Sequence, residues 1–504
     1  MAQPLDDWVG NARAEVPAVG VPPRTWVYRV LLRAVREGAL RPGSRLPAAR
    51  RLSQVWQMPR GAIDQACDRL RAEGVLARRV GDGTYVADAL PAGVLPQVAA
   101  APPVPNRAAR QVLSRMAEKL RTDRPVNRPL EGVAPRALRV GVPDVEAFPL
   151  AAWRRCIARA FADEQRASLS YGAPAGVMAL REATAHFLAL TRGMNIRAEQ
   201  VVIVNSTLQA AELIAQVMLS PGDKVCIEDP SHPSTARLLS LAHLDVRGVP
   251  FDEQGLDVAA GRTRTPNPAA IYLQPLHQYP TGIVTSAARR AALLDWAEAA
   301  SAWIIEVDYL NEIAHGGPVP APLQSGPASE RVLFVGTYTG VTFPAIRLAY
   351  LVVPEPLVEP FAAVRGMLGD HSPVAPQVAL ADFIDAGHLS DHLRAVRATY
   401  RARRDVLVRA LRERLPDEFT IGPTSGGMHA CLRLPARFTD QAVVQQLARR
   451  GVDLGALSLH GWSVAGLNGL VMGYGAYDPR DIEAACDLLA EVLAQARIGE
   501  AVPA

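Results

Sequence analysis

The sequence predicts an α/β protein in two parts: a small helical segment closed by a β-hairpin near the N-terminus, and a long segment built on a mostly parallel sheet. Three observations carry this. With 504 residues the chain exceeds one ordinary domain, and length alone suggests roughly two to four. Between Trp26 and Val86, three helical patterns are followed by two short strand-like runs. From about Leu138 onward, apolar runs of strand length alternate with helical patterns, the order that builds parallel sheets.

In the first part, Trp26, Val27, Val30, Leu31, Ala34 and Val35 recur at helical spacing, and Arg41-Pro42-Gly43 then breaks the chain. A second short helix is predicted from about Ala48 to Trp56. A third starts near Pro59, whose fixed φ suits a first helical position, and runs to Glu73 with Ile63, Ala66 and Leu70 on its inner face. Gly74 ends it. Val75 to Val86 holds two strand-like pieces around Gly81-Asp82-Gly83, a hairpin signal. Three helices and a glycine-tipped hairpin make a winged helix-turn-helix. Ala89 to about Asn106 is an Ala/Pro/Val stretch with almost no charge, read as a semi-extended linker. A helical stretch with Arg110, Arg115, Lys119 and Arg121 follows. The strand-like runs of the second part are Val201–Val204, Lys224–Ile227, Ala270–Leu273, Trp303–Val307, Val332–Val335 and Leu348–Val353.

Composition narrows the class. Hydrophobic residues at 49% and charged residues at 21% describe a folded chain, not a disordered one. No apolar run approaches the ~20 residues that span a bilayer. Met1 to Gly10 lacks the basic start and apolar core of a secretory signal, so the expected location is cytoplasmic and no membrane partner is expected. Five scattered cysteines without a CxxC spacing read as reduced thiols, and no metal site is expected. The formal net charge of +4 conceals an asymmetry. Arg24 to Val80 holds thirteen arginines against four acids, so the rest of the chain is net acidic. Concentrated positive charge is the footprint of a phosphate-binding module, although a solvated basic surface would look similar; it is the winged helix-turn-helix that makes double-stranded DNA the expected partner.

The first part resembles the GntR-type winged helix over about sixty residues. The residues that carry the resemblance are Pro42-Gly43, Leu46-Pro47, Arg50, Arg60, Leu70 with Gly74, and Gly81-Asp82-Gly83-Thr84-Tyr85-Val86. The start of a recognition helix enters the major groove, which places Arg60 to reach bases or phosphates. Arg50 is expected near the backbone, and Arg78, Arg79, Gly81 and Gly83 on the wing. Pro59 stands where that family usually has a serine, and Gly61-Ala62 offer little for reading bases.

The second part resembles, over roughly 350 residues, the fold-type I aminotransferase domain of MocR-type regulators, in which a GntR reader is fused to such a domain. The motifs are Tyr171-Gly172-x-Pro174-x-Gly176 with Leu180-Arg181, Pro221-Gly222-Asp223, Glu228-Asp229-Pro230, His277-Gln278-Tyr279-Pro280-Thr281-Gly282, Glu306-Val307-Asp308-Tyr309, and Gly336-Thr337-Tyr338-Thr339-Gly340 with Arg347. The resemblance implies a mostly parallel sheet with a smaller C-terminal subdomain, a homodimer, and a pyridoxal phosphate pocket. In the family a lysine forms the Schiff base with that cofactor. Here the matching position is Gly340. The chain has only two lysines, Lys119 in the connector and Lys224 in a polar turn, and neither is a plausible substitute. The acid that supports the pyridine nitrogen aligns with Val307, and the next residue, Asp308, is expected to point to the opposite face. No Arg or Lys lies between Arg450 and Arg480, where aminotransferases commonly clamp the substrate carboxylate.

The resemblance thus implies no catalytic residue and no covalent cofactor. It leaves a vestigial or remodelled pocket of Thr207, His232, His277, Gln278, Asp308, Tyr309, Thr339, Gly340 and Arg347. These residues persist either because the fold's turns need them, or because they hold noncovalent pyridoxal phosphate or another small-molecule effector. The expected organisation is a reader over 20–88, a linker over 89–136 and an effector and dimerisation domain over 137–504. The expected function is a DNA-binding transcriptional regulator. The alternatives are a large domain that is only an interaction scaffold, and an active aminotransferase carrying a reader.

Overall fold

The computed structural model describes Val9, residues 21–79, 81–91, Val94, 137–162, 169–316, 319–326 and 329–498. Most of the expected linker over 89–136, with its helical stretch, lies outside the described residues. The chain divides into two units, Met1–Glu118 and Lys119–Ala504.

The first unit contains α1 (Pro23–Arg36), α2 (Ala49–Trp56), α3 (Arg60–Ala72), β1 (Leu76–Arg79) and β2 (Gly83–Val86). Its core is the apolar stripe that the spacing predicts: Trp26, Val27, Val30, Leu31, Ala34 and Val35 of α1 are buried with Ile63, Ala66 and Leu70 of α3. Trp26 meets Trp56 edge to face at 5.6 Å, a pairing that contributes about 1 kcal/mol beyond area burial. α3 begins one residue later than the sequence suggests. Pro59 has ψ 133, so it caps the helix from outside, and Arg60 is the first helical residue.

In the second unit, β3 (Val201–Val204), β4 (Lys224–Asp229), β5 (Asp245–Asp252), β6 (Gly255–Leu256), β7 (Ala270–Leu273), β8 (Trp303–Asp308), β9 (Val332–Thr337) and β10 (Ala349–Val352) form one sheet in the order β3-β10-β9-β8-β7-β4-β5-β6. β10 runs antiparallel to both neighbours, β6 is antiparallel to β5, and the remaining pairs are parallel. Every residue of β9 is buried, as expected for a sheet covered on both faces. On one face Phe334 and Tyr350 pack into a cluster with residues of α4 (Leu150–Ala160) and α5 (Met178–Arg192). On the other, Val307, Val335 and Leu351 pack with α6 (Thr207–Met218). A four-stranded antiparallel sheet of β11 (Thr420–Ile421), β12 (His429–Arg433), β13 (Gly455–Ala456) and β14 (Gly469–Gly473) forms the smaller C-terminal subdomain, in the order β11-β12-β14-β13. No helix among the described residues is long and apolar enough to cross a membrane.

Candidate nucleic-acid interface and remodelled pocket

In the first unit, a cleft of about 950 Å³ opens between the start of α2, one side of α3 and the wing β1–β2. Arg45, Arg51, Arg60, Arg71 and Arg78 line it. Of the residues singled out in the sequence, Arg60 and Arg78 face the cleft, and Gly83 forms its wing side. Arg79 does not. Successive strand residues point to opposite faces, and Arg79 instead lies over the Tyr85 ring at 4.3 Å and 3.7 Å from Asp88. Arg50 is exposed on α2, while its neighbour Arg51 lines the cleft.

Arg45, Arg51 and Arg71 were not legible as a set. Arg45 belongs to an extended segment that pairs with the wing: the Leu46 N–H donates to the Thr84 carbonyl at 2.8 Å, and the Val86 N–H to that of Ser44 at 2.9 Å. Its guanidinium lies 3.6 Å from Asp82 at the wing tip. Gly83 has φ +136, and a Cβ there would sit 3.1 Å from Arg45 Nε, so a side chain would strain the wing and press on that arginine.

In the second unit, strand register gathers the expected pocket at one sheet edge. Val204 pairs with Ala349, and Ala349 with Thr337. Thr207 follows Val204 at the first turn of α6, Thr339 and Gly340 follow β9, and Arg347 precedes β10. These three segments therefore lie side by side. His232, His277, Gln278 and Tyr309 follow β4, β7 and β8, whose carboxyl ends share that edge, the usual ligand position in open α/β sheets. The Ser206 side chain caps α6 by accepting the Gln209 N–H. Arg347 is exposed at φ +49 and makes no ion pair or hydrogen bond with the described residues.

Other members of the set are engaged within the protein. Asp308 turns away from the pocket into a buried ion pair with Arg192 at 2.5 Å and accepts from Asn311. Its neighbour Val307 packs on the α6 side of the sheet. Gln278 is saturated: its amide donates to the Pro230 carbonyl at 2.6 Å and accepts from the Thr281 hydroxyl at 2.6 Å, tying the turn together. Gly340 is buried, and a Cβ there would lie 2.5 Å from Leu310 Cδ2. Leu310 reaches this place from a left-handed backbone, φ +65, that a leucine rarely adopts.

Two residues at the centre, His429 and His460, gave no motif in the sequence. Tyr279 packs against His232, His429 and His460 at ring separations of 5.5, 5.1 and 5.3 Å, and His277 lies 5.3 Å from His429. His460 Nε2 is 3.2 Å from the Tyr279 hydroxyl. The Asp229 carboxylate accepts the backbone N–H groups of Trp462, Ser463 and Val464 and the Ser463 hydroxyl, tying the end of β4 to the loop before β14. Burial pushes His277 down to about 3 and His429 and His460 to about 4, so all three rings are neutral. The stability from burying them neutral is present above about pH 6.5 and is lost as pH falls towards those values.

Burial acts in the opposite sense on Glu228, pushing its carboxyl up to about 8. Oε2 accepts the Gln274 N–H at 3.0 Å, while Oε1 has no hydrogen-bond partner among the described residues. The fold therefore holds this acid neutral, and the cost of keeping it buried grows as pH rises from the ordinary carboxylate range to about 8. Glu228→Gln is expected to raise stability at pH 8 by on the order of 3 kcal/mol and to change it little at pH 5. Melting curves at both pH values check this, and an equal shift at both would show that ionisation is not the cause.

The comparisons agree with this division. The model for bacterial regulatory proteins of the gntR family matches residues 23–86, and that for aminotransferase class I and II matches residues 137–459. The chain belongs to the family of helix-turn-helix transcriptional regulators that join these two domains. It is 31% identical over 465 residues, 91% of each chain, to the "Probable rhizopine catabolism regulatory protein MocR" of Rhizobium meliloti. It is 32% identical over 455 residues, 90% of this chain and 92% of the relative, to the "HTH-type pyridoxine biosynthesis transcriptional regulator PdxR" of Corynebacterium glutamicum. Among solved structures it is similar to LysN, the alpha-aminoadipate aminotransferase of Thermus thermophilus complexed with N-(5'-phosphopyridoxyl)-L-leucine. That match has a TM-score of 0.68 and 24% identity and covers 73% of this chain and 94% of the enzyme. At that identity it establishes the fold alone.

Proposed function

We propose that this regulator reads DNA through its first unit, and that its second unit is a catalytically inactive aminotransferase body serving dimerisation and noncovalent sensing of an anionic small molecule. The reader is assigned to 20–88, the connector to 89–136, and the sensing and dimerisation body to 137–504. The register at the sheet edge carries the sensing part: it sets the first turn of α6, Thr339 and the unpaired Arg347 together. Helix N-termini favour anions, and a free guanidinium adds a charge-assisted donor.

A covalently held pyridoxal phosphate does not fit these residues. Gly340 has no amine, Leu310 fills the space beside it, and the buried apolar Val307 stands where a charged partner for the ring nitrogen would be needed. What remains suits the phosphate of pyridoxal phosphate, or another anion, held reversibly. Dimerisation is supported by exposed apolar side chains: Met367 is 88% exposed next to the half-exposed Leu368, and Tyr171, 86% exposed, lies 6.3 Å from His371, three residues past Leu368. Such patches mark protein contacts. A ligand that favours one arrangement of the dimer would change the spacing of the readers, and DNA would alter ligand affinity by the same factor.

Thermal shifts with pyridoxal phosphate and with inorganic phosphate test the sensing reading. Stabilisation of about 2.7 kcal/mol is expected at a hundred times the dissociation constant, and it should be lost in Arg347→Ala. A flat response to both would favour the scaffold reading, which the ring-filled centre around Tyr279 supports. Transamination by the purified protein would favour the enzyme reading and overturn the proposal.

A further inference from the structure

The arginine-lined cleft of the first unit also holds two acids, Asp64 and Asp68. Carboxylates on a surface that approaches phosphates reduce affinity, so their placement needs a reason. Asp68 has one: it pairs with Arg71, three residues on. Asp64 is different. It projects from the same side of α3 as Arg60, one turn further on, and its nearest cation is Arg60 at 3.8 Å. That is longer than the roughly 2.8 Å of a charge-assisted hydrogen bond. Both side chains are largely exposed, 69% for Arg60 and 55% for Asp64. The pair is loose, solvated and free to exchange partners.

We infer that Asp64 is a specificity-determining residue of the DNA reader, selecting a cytosine amine in the major groove while opposing attachment to phosphate alone; this rests on the DNA-binding reading above. The chemistry singles out one base. In the major groove guanine presents two acceptors, thymine an acceptor and a methyl group, and adenine a donor beside an acceptor. Cytosine's own edge presents only its amine, a donor that an aspartate or glutamate carboxylate accepts from. Arg60, one turn nearer the helix start, has the complementary preference for guanine O6 and N7. Against a non-cognate sequence, Asp64 meets acceptors and phosphates, and the complex is weakened. A reader with only Gly61 and Ala62 beside Arg60 gains discrimination in this way without a further donor.

Selection from a randomised duplex library tests this, using the full-length protein and its Asp64→Asn and Asp64→Ala variants. Asp64 is exposed and caps nothing, so both variants should fold, which their melting curves establish. The wild type is expected to enrich a cytosine at one position near the guanine read by Arg60. Asp64→Asn should shift that position towards adenine, whose donor and acceptor an asparagine amide matches. Asp64→Ala should lose the preference. Both variants should bind unselected duplex about three- to tenfold more tightly than wild type, because one negative charge has left the interface. Enrichment of the same sequence by all three proteins, with equal affinity for unselected duplex, would overturn the inference. Failure of wild type and variants alike to bind any duplex would instead overturn the DNA-binding reading, and this inference with it.

Discussion

Arg60→Ala is expected to weaken binding to a selected duplex by about tenfold or more, while leaving the melting temperature nearly unchanged. The two halves of that result have separate causes. Arg60 is the first residue of α3, and its only charged contact among the described residues is the exposed pair with Asp64 at 3.8 Å. Exposed pairs of this kind contribute about 0–1 kcal/mol to stability. Its side chain makes no contribution to the core of Ile63, Ala66 and Leu70 beneath it. In the proposed complex with DNA the same side chain meets the groove at the helix start, and a lost base contact there costs about 1–3 kcal/mol. Arg60→Lys should recover only part of the affinity, since an ammonium keeps the charge without the fork that matches guanine. Anisotropy titrations over a range of salt check this. An unchanged affinity and salt slope in Arg60→Ala would remove the start of α3 from the interface.

Gly340→Lys is expected to destabilise the second unit by about 1–3 kcal/mol and to leave it without a covalently bound pyridoxal phosphate. The reason is steric before it is chemical. The first side-chain carbon at position 340 would lie 2.5 Å from Leu310 Cδ2, and Leu310 is itself fully buried. Restoring the amine therefore forces Leu310 from its place. Adding Leu310→Ala should recover part of the lost stability by relieving that contact. It should not restore a productive site, because Val307 remains apolar and Asp308 remains bound to Arg192. Melting curves of the single and double variants, and their masses after borohydride treatment with pyridoxal phosphate, give both readings. A stable, stoichiometrically labelled Gly340→Lys variant would show that the site kept its shape and lost only its lysine.

Much of the fold was legible because the sequence writes it locally. The buried stripe of α1 is the set of residues given by helical spacing, and β3 and β7 coincide with the apolar runs that predict them. Other strands extend past their apolar runs: β8 ends on Asp308 and β9 on Gly336-Thr337, where hydrophobicity stops but the backbone ladder continues. The candidate sites were legible only in part, because their geometry is long-range. Arg45 faces the arginine-lined cleft through pairing with a hairpin some forty residues away. His429 and His460 reach Tyr279 from the smaller subdomain, across more than a hundred residues of chain. The opposite directions of Arg78 and Arg79 followed from strand alternation, yet that rule needed the strand's exact register. Gly340 could be read as an absent amine, but no spacing disclosed that Leu310 fills the space beside it.

The proposed regulator keeps an aminotransferase body without its covalent cofactor. Intact-mass measurement of the purified wild-type protein, after incubation with pyridoxal phosphate and reduction with borohydride, tests it most directly. The unmodified mass is expected, together with reversible binding that dialysis removes. One phosphopyridoxyl group per chain would contradict it.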